Sequence, residues 1–395
     1  MPWPIHDVNT IRREFVSKAL TQNASFSALC REYGISRKTG YKWRQRALND
    51  GLRRLADQSR RPKSSPTQLE ESAVCTLIRF KLRHPSWGPK KIRQLYVRRF
   101  AEVPSLSSCQ RVLTRAGLVL TRRRQRKPAK ERISSPIVAQ APNEVWTVDF
   151  KGWWSLSNGQ RCEPLTVRDA FSRYVLAVYA VPRADTRQVQ SFFEGLFKTY
   201  GLPRVIKSDN GAPFATAGAP LGLSRLSAWW LALGIALDRS RPAHPQDNGA
   251  HERLHRDIAA ELSCQTHPDL ESQQAAFDLW REEFNWRRPH EALGGRCPAE
   301  MYQKSARRMP SAVAIDYGSD MLTRKVSKAG MITWGQIKIF VSGALAGWPV
   351  GLRQCDPDHL EIWFTNLLLG HLEVSSARFL RAASRPQETS DACIA

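Results

Sequence analysis

Three acidic residues stand in sequence contexts that favour metal-dependent chemistry. Asp149 lies in the apolar, strand-like run 144–150, and Asp209 ends a second such run and is followed by asparagine and glycine. Glu252 lies within 244–253, where a glycine-bearing loop turns into a predicted helix. Hard divalent cations prefer carboxylate oxygens, and two such ions a few ångströms apart can hold the attacking and leaving oxygens of a phosphoryl transfer.

The contexts of these acids distinguish them from ordinary solvated surface charges. Strand ends and helix starts converge at one edge of an α/β sheet, so the three carboxylates can meet in space. Brought together, they would raise one another's pKa values, and a bound divalent cation would relieve that repulsion. Asp169 is instead interpreted as a turn residue that pairs with Arg168 or Arg173, and the pattern alone leaves a metal role for it open.

The net charge of +24 is concentrated at one end of the chain. Residues 1–140 carry 31 lysines and arginines against 9 acidic residues, a net +22, whereas the remaining 255 residues carry 29 against 27, a net +2. So large an asymmetry indicates a polyanionic partner. Double-stranded DNA is favoured over a membrane because the basic region has helix-turn-helix patterning and no strongly apolar face.

Composition is typical of a globular protein. With 395 residues the chain should hold about two to four domains, and 42% hydrophobic residues supply an ample core. The sequence has no apolar run long enough to span a bilayer, and its first residues lack the features of a signal peptide, so a cytoplasmic location is predicted. The eight cysteines are scattered without a CxxC pair, which predicts reduced thiols rather than a zinc module or a disulfide framework.

The basic third of the chain begins with a predicted helix-turn-helix domain, residues 1–52. Apolar residues recur at helical spacing over 7–20, a second helix begins at Ser25, and a third begins at Ser36. The second and third helices form the helix-turn-helix motif, in which the later helix enters the major groove of DNA. An ordinary three-helix bundle is the alternative. The candidate DNA contacts on the third helix are Arg37, Lys38, Lys42, Arg44 and Arg46.

A second helix-turn-helix-like DNA-binding domain is predicted for residues 67–120, between two basic linkers. The first linker, 53–66, is rich in arginine and proline. The second, 121–142, is interpreted as a basic tether that contacts phosphates when DNA binds. Its candidate DNA contacts are Arg122, Arg123 and Arg124.

The rest of the chain changes from α/β to β patterning. Residues 143–303 read as three strands, a helix, a strand, a helix, a strand and further helices, which suits a mixed α/β sheet covered by helices. Short strand-like segments in 304–380 predict a small β-barrel. Residues 381–395 are predicted to be a disordered tail. The predicted fold class is therefore multidomain, with N-terminal all-α helix-turn-helix units, a central α/β domain and a C-terminal β-barrel.

Five motifs lie in order along the central segment. They are 146–152 (WTVDFKG), 169–174 (DAFSRY), 208–214 (SDNGAPF), 244–256 (HPQDNGAHERLHR) and 284–293 (FNWRRPHEAL). Together they resemble the catalytic core of the retroviral-integrase superfamily and, more narrowly, a DDE-type insertion-sequence transposase. The 42 residues between the second and third acids exceed the interval in many family members, and the Gly/Ala/Pro-rich loop 215–222 accounts for the extra length.

The resemblance implies an RNase H-like fold and a metal-dependent DNA transposase. Asp149, Asp209 and Glu252 would bind two Mg²⁺ ions, with Mn²⁺ as a substitute. One ion would activate water or a DNA 3′-OH, and the other would stabilise the leaving oxygen. The implied reactions are nicking at the terminal inverted repeats of an element and strand transfer into target DNA, carried out by a homo-oligomer.

Other residues of these motifs receive weaker assignments. Asn210, Asn248 and Arg256 are expected to support the acids or to contact DNA, and a helix-cap or surface role is the alternative. Trp153 and Trp154 are expected in the core, with DNA contact as the alternative.

Two further functions fit part of the pattern. One is a sequence-specific DNA-binding regulator with a vestigial integrase core, and the other is a nuclease of the same fold that cannot join strands. The presence of all three acids argues against the regulator, and two DNA-binding units argue for the transposase. A glycosidase with paired carboxylates would leave the basic N-terminal third unexplained.

Overall fold

The chain divides into two units, Met1–Gln68 and Leu69–Ala395, in the computed structural model. The structure describes residues 7–21, 25–57, 68–119, 138–183, 185–240, 249–262 and 267–382. The predicted contacts Arg122, Arg123 and Arg124, together with Asn248 and nearly all of the predicted tail 381–395, lie outside these ranges.

The first unit has three helices around one apolar core, as the spacing predicts. Phe15 and Trp43 are almost fully buried in this core. Ser36 accepts a 3.2 Å hydrogen bond from the Thr39 N–H and so caps the third helix. Gly40 lies where this helix crosses the others, with no room for a side chain. The helices are α1 (Val8–Thr21), α2 (Phe26–Glu32) and α3 (Arg37–Asp50).

The second helical region belongs to the same unit as the central sheet. Its own core contains Leu77, Trp87 and Leu113, each almost completely buried. Ser105 caps its last helix by accepting a 3.1 Å hydrogen bond from the Ser108 N–H. The helices are α4 (Glu71–Arg83), α5 (Pro89–Val97) and α6 (Leu106–Arg115).

The central domain is a mixed sheet with the strand order β4-β3-β1-β5-β6, and the short β2 also pairs with β3. β1 is antiparallel to β3 and parallel to β5. The predicted order of strands and helices is observed, with the short β2 as an additional strand. The elements are β1 (Val145–Phe150), β2 (Trp154–Ser155), β3 (Arg161–Asp169), β4 (Val175–Val181), α7 (Thr186–Tyr200), β5 (Val205–Ser208), α8 (Arg225–Ala232), β6 (Ala236–Arg239), α9 (Gly249–Leu262) and α10 (Leu270–Trp286).

The two faces of this sheet are covered by different helices. Trp146 and Val148 of β1 pack in one cluster with apolar residues of α7 and α8. Since side chains alternate along a strand, Thr147 and Asp149 point to the opposite face. That face carries α9 and α10, whose Leu254, Ile258 and Phe277 form a second cluster. The alternation of β1 thus directs Asp149 towards the helix that carries Glu252.

The C-terminal region is an open sheet, so the predicted β-barrel is not formed. Five antiparallel strands run in the order β13-β12-β11-β10-β7, and β8 and β9 form a separate hairpin. Apolar residues of the central domain, Leu223 and Leu231, join the core of this sheet. The strands are β7 (Leu322–Lys325), β8 (Met331–Trp334), β9 (Ile337–Phe340), β10 (Pro349–Gln354), β11 (His359–Phe364), β12 (Leu367–Glu373) and β13 (Arg378–Arg381).

Among the helices that the structure describes, none is long and apolar enough to cross a membrane.

Candidate active site

Asp149 lies near the end of β1, where it pairs in register with Thr166 of β3. Burial raises the pKa of its carboxyl, and the negative charges of Asp209 and then Glu252 raise it further, to about 7, although a hydrogen bond from the Phe150 backbone lowers it. An ordinary aspartate has a pKa of 3.8. Burial is the main cause of the raised pKa, and the charges of the other two acids add to it.

Asp209 directly follows β5. Because β1 and β5 are parallel neighbours, with Trp146 opposite Ile206, their carboxyl ends lie at the same edge of the sheet. The Asp209 carboxylate is exposed and accepts a 3.2 Å hydrogen bond from the Gly211 N–H. The neighbouring Asn210 turns away, since its side-chain amide donates to the Ser240 carbonyl at 2.7 Å and holds the two loops together.

Glu252 lies in the first turn of α9 and is exposed to solvent. Its charge acts on Asp149, as does that of Asp209, so the structure brings the three predicted acids to one edge of the sheet. Arg256 lies one turn further along α9, exposed and without an ion-pair partner among the described residues.

Four buried side chains, which we term the histidine clamp, connect α9 to the strands beneath the acids. They are Thr147, Thr166, His251 and His255. His251 bonds Thr147 through Nδ1 at 2.7 Å and Thr166 through Nε2 at 2.6 Å. His255 Nε2 lies 2.8 Å from the same Thr166 hydroxyl, and its Nδ1 lies 3.9 Å from Asp149 Oδ2. The Thr166 hydroxyl also donates to the Asp149 carbonyl oxygen at 3.0 Å.

Both rings of the clamp are held neutral. Burial, then the charge of the neighbouring His255 and of Arg168, lowers the pKa of His251 well below its ordinary range. Burial, then the charges of Lys151 and Arg168, lowers the pKa of His255 to about 3. Sequence patterns assigned no role to these histidines, although their spacing of four residues places them on one face of a helix.

The donor set at the sheet edge suits a hard divalent cation. It consists of carboxylates, the ligands that Mg²⁺ and Mn²⁺ prefer. A cation would favour the charged form of Asp149, whose raised pKa reflects burial and unrelieved repulsion. Among the described residues the three acids do not come within the spacing expected around one ion, where every ligand atom lies within 4.8 Å of the others.

A separate group of potential metal ligands lies in the C-terminal sheet. Asp358, His359 and Glu373 place ligand atoms within 4.8 Å of one another. Their carboxylates already accept hydrogen bonds, Asp358 from Ser375 at 2.7 Å and Glu373 from Ser376 at 2.7 Å. His359 is exposed and the two carboxylates are partly exposed, and hydrogen bonds to neighbouring residues account for their arrangement.

Asp169 is a buried turn residue, as the sequence favours. One carboxylate oxygen accepts a 2.7 Å hydrogen bond from the Asn143 N–H, and the other accepts from the N–H and hydroxyl of Ser172. The carboxylate thus ties together two backbone segments, and the positive charge of Arg168 also acts on it.

The two tryptophans that follow β1 differ. Trp154 is partly buried and donates to Gln273 at 3.3 Å, as expected for a core residue. The core prediction is wrong for Trp153, which is 57% exposed because the chain turns at Gly152, with φ +86°. The Arg161 guanidinium lies 4.8 Å from the centre of the Trp153 ring.

The predicted DNA contacts of α3 fall into two groups. Arg37, Lys38 and Lys42 are exposed. Arg44 and Arg46 are half-buried, and Arg46 donates a 3.2 Å hydrogen bond to the Ala56 carbonyl, so part of its role is structural.

Sequence comparison assigns these elements to known domains. The model of the integrase core domain matches residues 139–245, and a second integrase core domain model matches residues 233–298. The matched range contains Asp149, Asp209 and Glu252. Residues 139–298 thus match the integrase core domain. The models of a helix-turn-helix domain and a homeodomain-like domain match residues 11–63 and 39–113, and so cover the helical regions that precede the integrase core.

Relatives with the same core come from bacterial insertion elements. The chain is 26% identical over 242 residues to the insertion element IS407 uncharacterized 31.7 kDa protein of Burkholderia multivorans, which covers 61% of this chain and 84% of the relative. It is also 26% identical over 254 residues to the insertion element IS476 uncharacterized 39.2 kDa protein of Xanthomonas euvesicatoria, covering 62% and 70%. Among solved structures, the catalytic core domain of BIV integrase matches at 26% identity with a TM-score of 0.32, over 40% of this chain and 93% of that one.

Proposed function

We propose that the protein is the DNA transposase of an insertion element and that Asp149, Asp209 and Glu252 are its catalytic acids. The observation that carries the proposal is the convergence of the three carboxylates at the carboxyl ends of β1 and β5 and the first turn of α9, where the charges of Asp209 and Glu252 act on Asp149. Acids brought together in this way within an integrase core support phosphoryl transfer on DNA. The basic N-terminal third and its helix-turn-helix domain supply the means to bind DNA.

Each acid has a distinct position in this proposal. The pairing of β1 with β3 fixes Asp149, on which the charges of both other acids act, and we assign it as a ligand shared by the cations. Asp209 and Glu252 would complete the donor set, one from the end of β5 and one from the start of α9. Two Mg²⁺ ions, or Mn²⁺ in their place, would supply activation of water or a DNA 3′-OH and stabilisation of the leaving oxygen.

Three cations near the acids are suited to hold DNA, the partly buried Lys151 and the exposed Arg253 and Arg256. Lys151 follows Asp149 by two residues, and Arg253 and Arg256 flank the exposed side of α9 beside Glu252. Their positive charges would place a phosphate next to the carboxylates, where the acids alone would repel it. Joining an element to its target involves two ends, so we expect at least two copies of the chain in the active complex.

The decisive experiment is strand transfer with purified protein, Mg²⁺ and labelled DNA that ends in the inverted repeats flanking its own gene. We expect joined products that are lost in Asp149→Ala, while binding to the ends persists. Nicking without joining in Mg²⁺ and Mn²⁺ would support the nuclease instead. Specific binding with neither reaction would support a regulator with a vestigial core.

A further inference from the structure

The histidine clamp fixes all of its protons in one arrangement. The Thr166 hydroxyl has one proton and two lone pairs. It donates the proton to the Asp149 carbonyl oxygen, which can only accept. Both lone pairs therefore accept from the Nε2–H groups of His251 and His255. With its proton on Nε2, His251 accepts from the Thr147 hydroxyl through Nδ1 at 2.7 Å, a much shorter contact than the 3.5 Å between that hydroxyl and the Arg168 carbonyl oxygen.

This arrangement leaves His255 Nδ1 without a proton. That atom lies 3.9 Å from Asp149 Oδ2. A ring with its proton on Nδ1 would turn a donor towards the carboxylate and compete with a cation for it. By accepting from Nε2–H, Thr166 selects the tautomer that keeps the Asp149 oxygens available.

The clamp also ties the first two turns of α9 to two strands. Leu254 and Ile258 pack on the sheet, but apolar contacts are not directional and allow a helix to shift or rotate. Hydrogen bonds have narrow distance and angle ranges and set one position. His251 immediately precedes Glu252, and His255 is one turn beyond it, while Thr166 pairs with Asp149 across β1 and β3.

We infer that the histidine clamp positions Glu252 relative to Asp149 and thereby sets the geometry in which the site binds divalent cations. The metal part of this inference rests on the proposed function, but the anchoring of α9 does not. Thr147, Thr166, His251 and His255 act here as positioning residues. None of them needs to touch DNA.

The test compares Thr166→Val, which removes the hydroxyl at nearly constant shape, with Thr166→Ser, which keeps it. Thr199→Val is the matched control, since Thr199 is an exposed threonine whose hydroxyl bonds the Gly195 carbonyl of its own helix. Hydrogen–deuterium exchange of residues 253–258 reports the anchoring of α9. Calorimetric titration with Mn²⁺ in the absence of DNA reports the cation site.

In Thr166→Val we expect faster exchange in α9 and about 10-fold weaker Mn²⁺ binding, the usual effect of losing a group that supports a metal ligand. Thr166→Ser should restore both, and Thr199→Val should change neither. Wild-type exchange and wild-type Mn²⁺ binding in a folded Thr166→Val protein would overturn the inference. If circular dichroism shows that Thr166→Val is unfolded, the same two measurements on His255→Phe decide. A wild-type protein that fails to join DNA would contradict the proposed function but leave the exchange comparison valid.

Discussion

The guanidinium of Arg288 lies 5.4 Å from the centre of the Trp87 ring. Trp87 stands between α4 and α5, and Arg288 follows α10, so this contact joins the second helical region to the integrase core. Arg288 is only 1% exposed and also pairs with Glu261 near the end of α9 and, at 3.6 Å, with Asp257. Ser86, next to Trp87, donates to the same Glu261 carboxylate at 2.7 Å. Helices α4–α6 are thus built onto the core rather than tethered to it.

Glu261→Gln should destabilise the unit that contains the core by about 3 kcal/mol at neutral pH, because it leaves the buried Arg288 without its nearest anion. Burial raises the pKa of Glu261, but hydrogen bonds from Arg288, Ser86 and Trp280 outweigh it and lower the pKa below the ordinary 4.5. A carboxyl group whose pKa is lower in the folded than in the unfolded protein stabilises the fold at pH values above its unfolded pKa. That stabilisation is lost as the pH falls through the folded pKa.

The difference in unfolding midpoint between wild type and Glu261→Gln should therefore be large at neutral pH and shrink below pH 4.5. Denaturant titrations at several pH values measure it. Glu271→Gln, at an exposed position in the first turn of α10, is the control and should have little effect. A difference that stays constant down to the acid transition would show that the ion pair is not its source.

Gly40→Ala should destabilise the first unit by about 1–3 kcal/mol through overpacking. A Cβ at Gly40 would lie 2.7 Å from Cys30 Sγ and 3.0 Å from Phe15 Cζ, in a nearly fully buried core. Alanine gains about 1 kcal/mol in helix propensity, which does not offset such a clash.

Gly195→Ala provides the opposite expectation in α7, because a Cβ there meets nothing within 4 Å. It should be neutral or raise the midpoint of thermal unfolding. If both substitutions change the stability equally, the close packing of α3 against Cys30 and Phe15 does not explain the glycine at position 40.

Asp169→Ala should impair folding rather than chemistry. The substitution leaves the buried N–H groups of Asn143 and Ser172 without their acceptor, and we expect a loss of about 3 kcal/mol. The measurement is thermal unfolding together with strand transfer normalised to folded protein. Loss of joining in a protein of wild-type stability would instead give Asp169 a role in the reaction.

The sequence predicted the elements whose signals are local. The apolar periodicity of α7 and the strand-like run that contains Asp149 correspond to observed elements. The spacing of apolar residues within each element reflects which of its side chains are buried. The barrel prediction failed because short strand-like segments do not reveal whether a sheet closes on itself. The open sheet shares its core with Leu223 and Leu231, about a hundred residues earlier in the chain, and no local pattern reports that contact.

The candidate site was predictable to a similar extent. The resemblance named the acids, and their strand and helix contexts placed them at one sheet edge. His251 and His255 were visible as a pair on one helix face, but the spacing does not say which strands that face meets. Thr147 and Thr166 acquire their role only when β1, β3 and α9 come together.

Substituting Lys38 and Lys42 together by alanine should weaken binding to element ends and reduce its dependence on salt. Both residues are exposed on α3, and each phosphate contact contributes about one unit to the slope of log affinity against log salt. Fluorescence anisotropy at several salt concentrations measures that slope. Lys328, an exposed lysine of the C-terminal region, supplies a control in Lys328→Ala. An unchanged slope in the double variant would exclude this face of α3 as the DNA-binding surface.

Asp209→Asn should abolish cleavage and joining while binding to the ends persists. The asparagine amide keeps the size of the side chain and can still accept a hydrogen bond from the Gly211 N–H, but it lacks the negative charge that would bind a divalent cation.

The same substitution should lower the pKa of Asp149, because the Asp209 charge is the second largest cause of its elevation after burial. Carboxyl chemical shifts in labelled protein, followed against pH without metal, report that change. Asp320→Asn, at an exposed position in the C-terminal region, should leave cleavage and the Asp149 titration unaltered. An unshifted Asp149 in Asp209→Asn would mean that the two carboxylates are not neighbours, and surviving cleavage would remove Asp209 from the catalytic set.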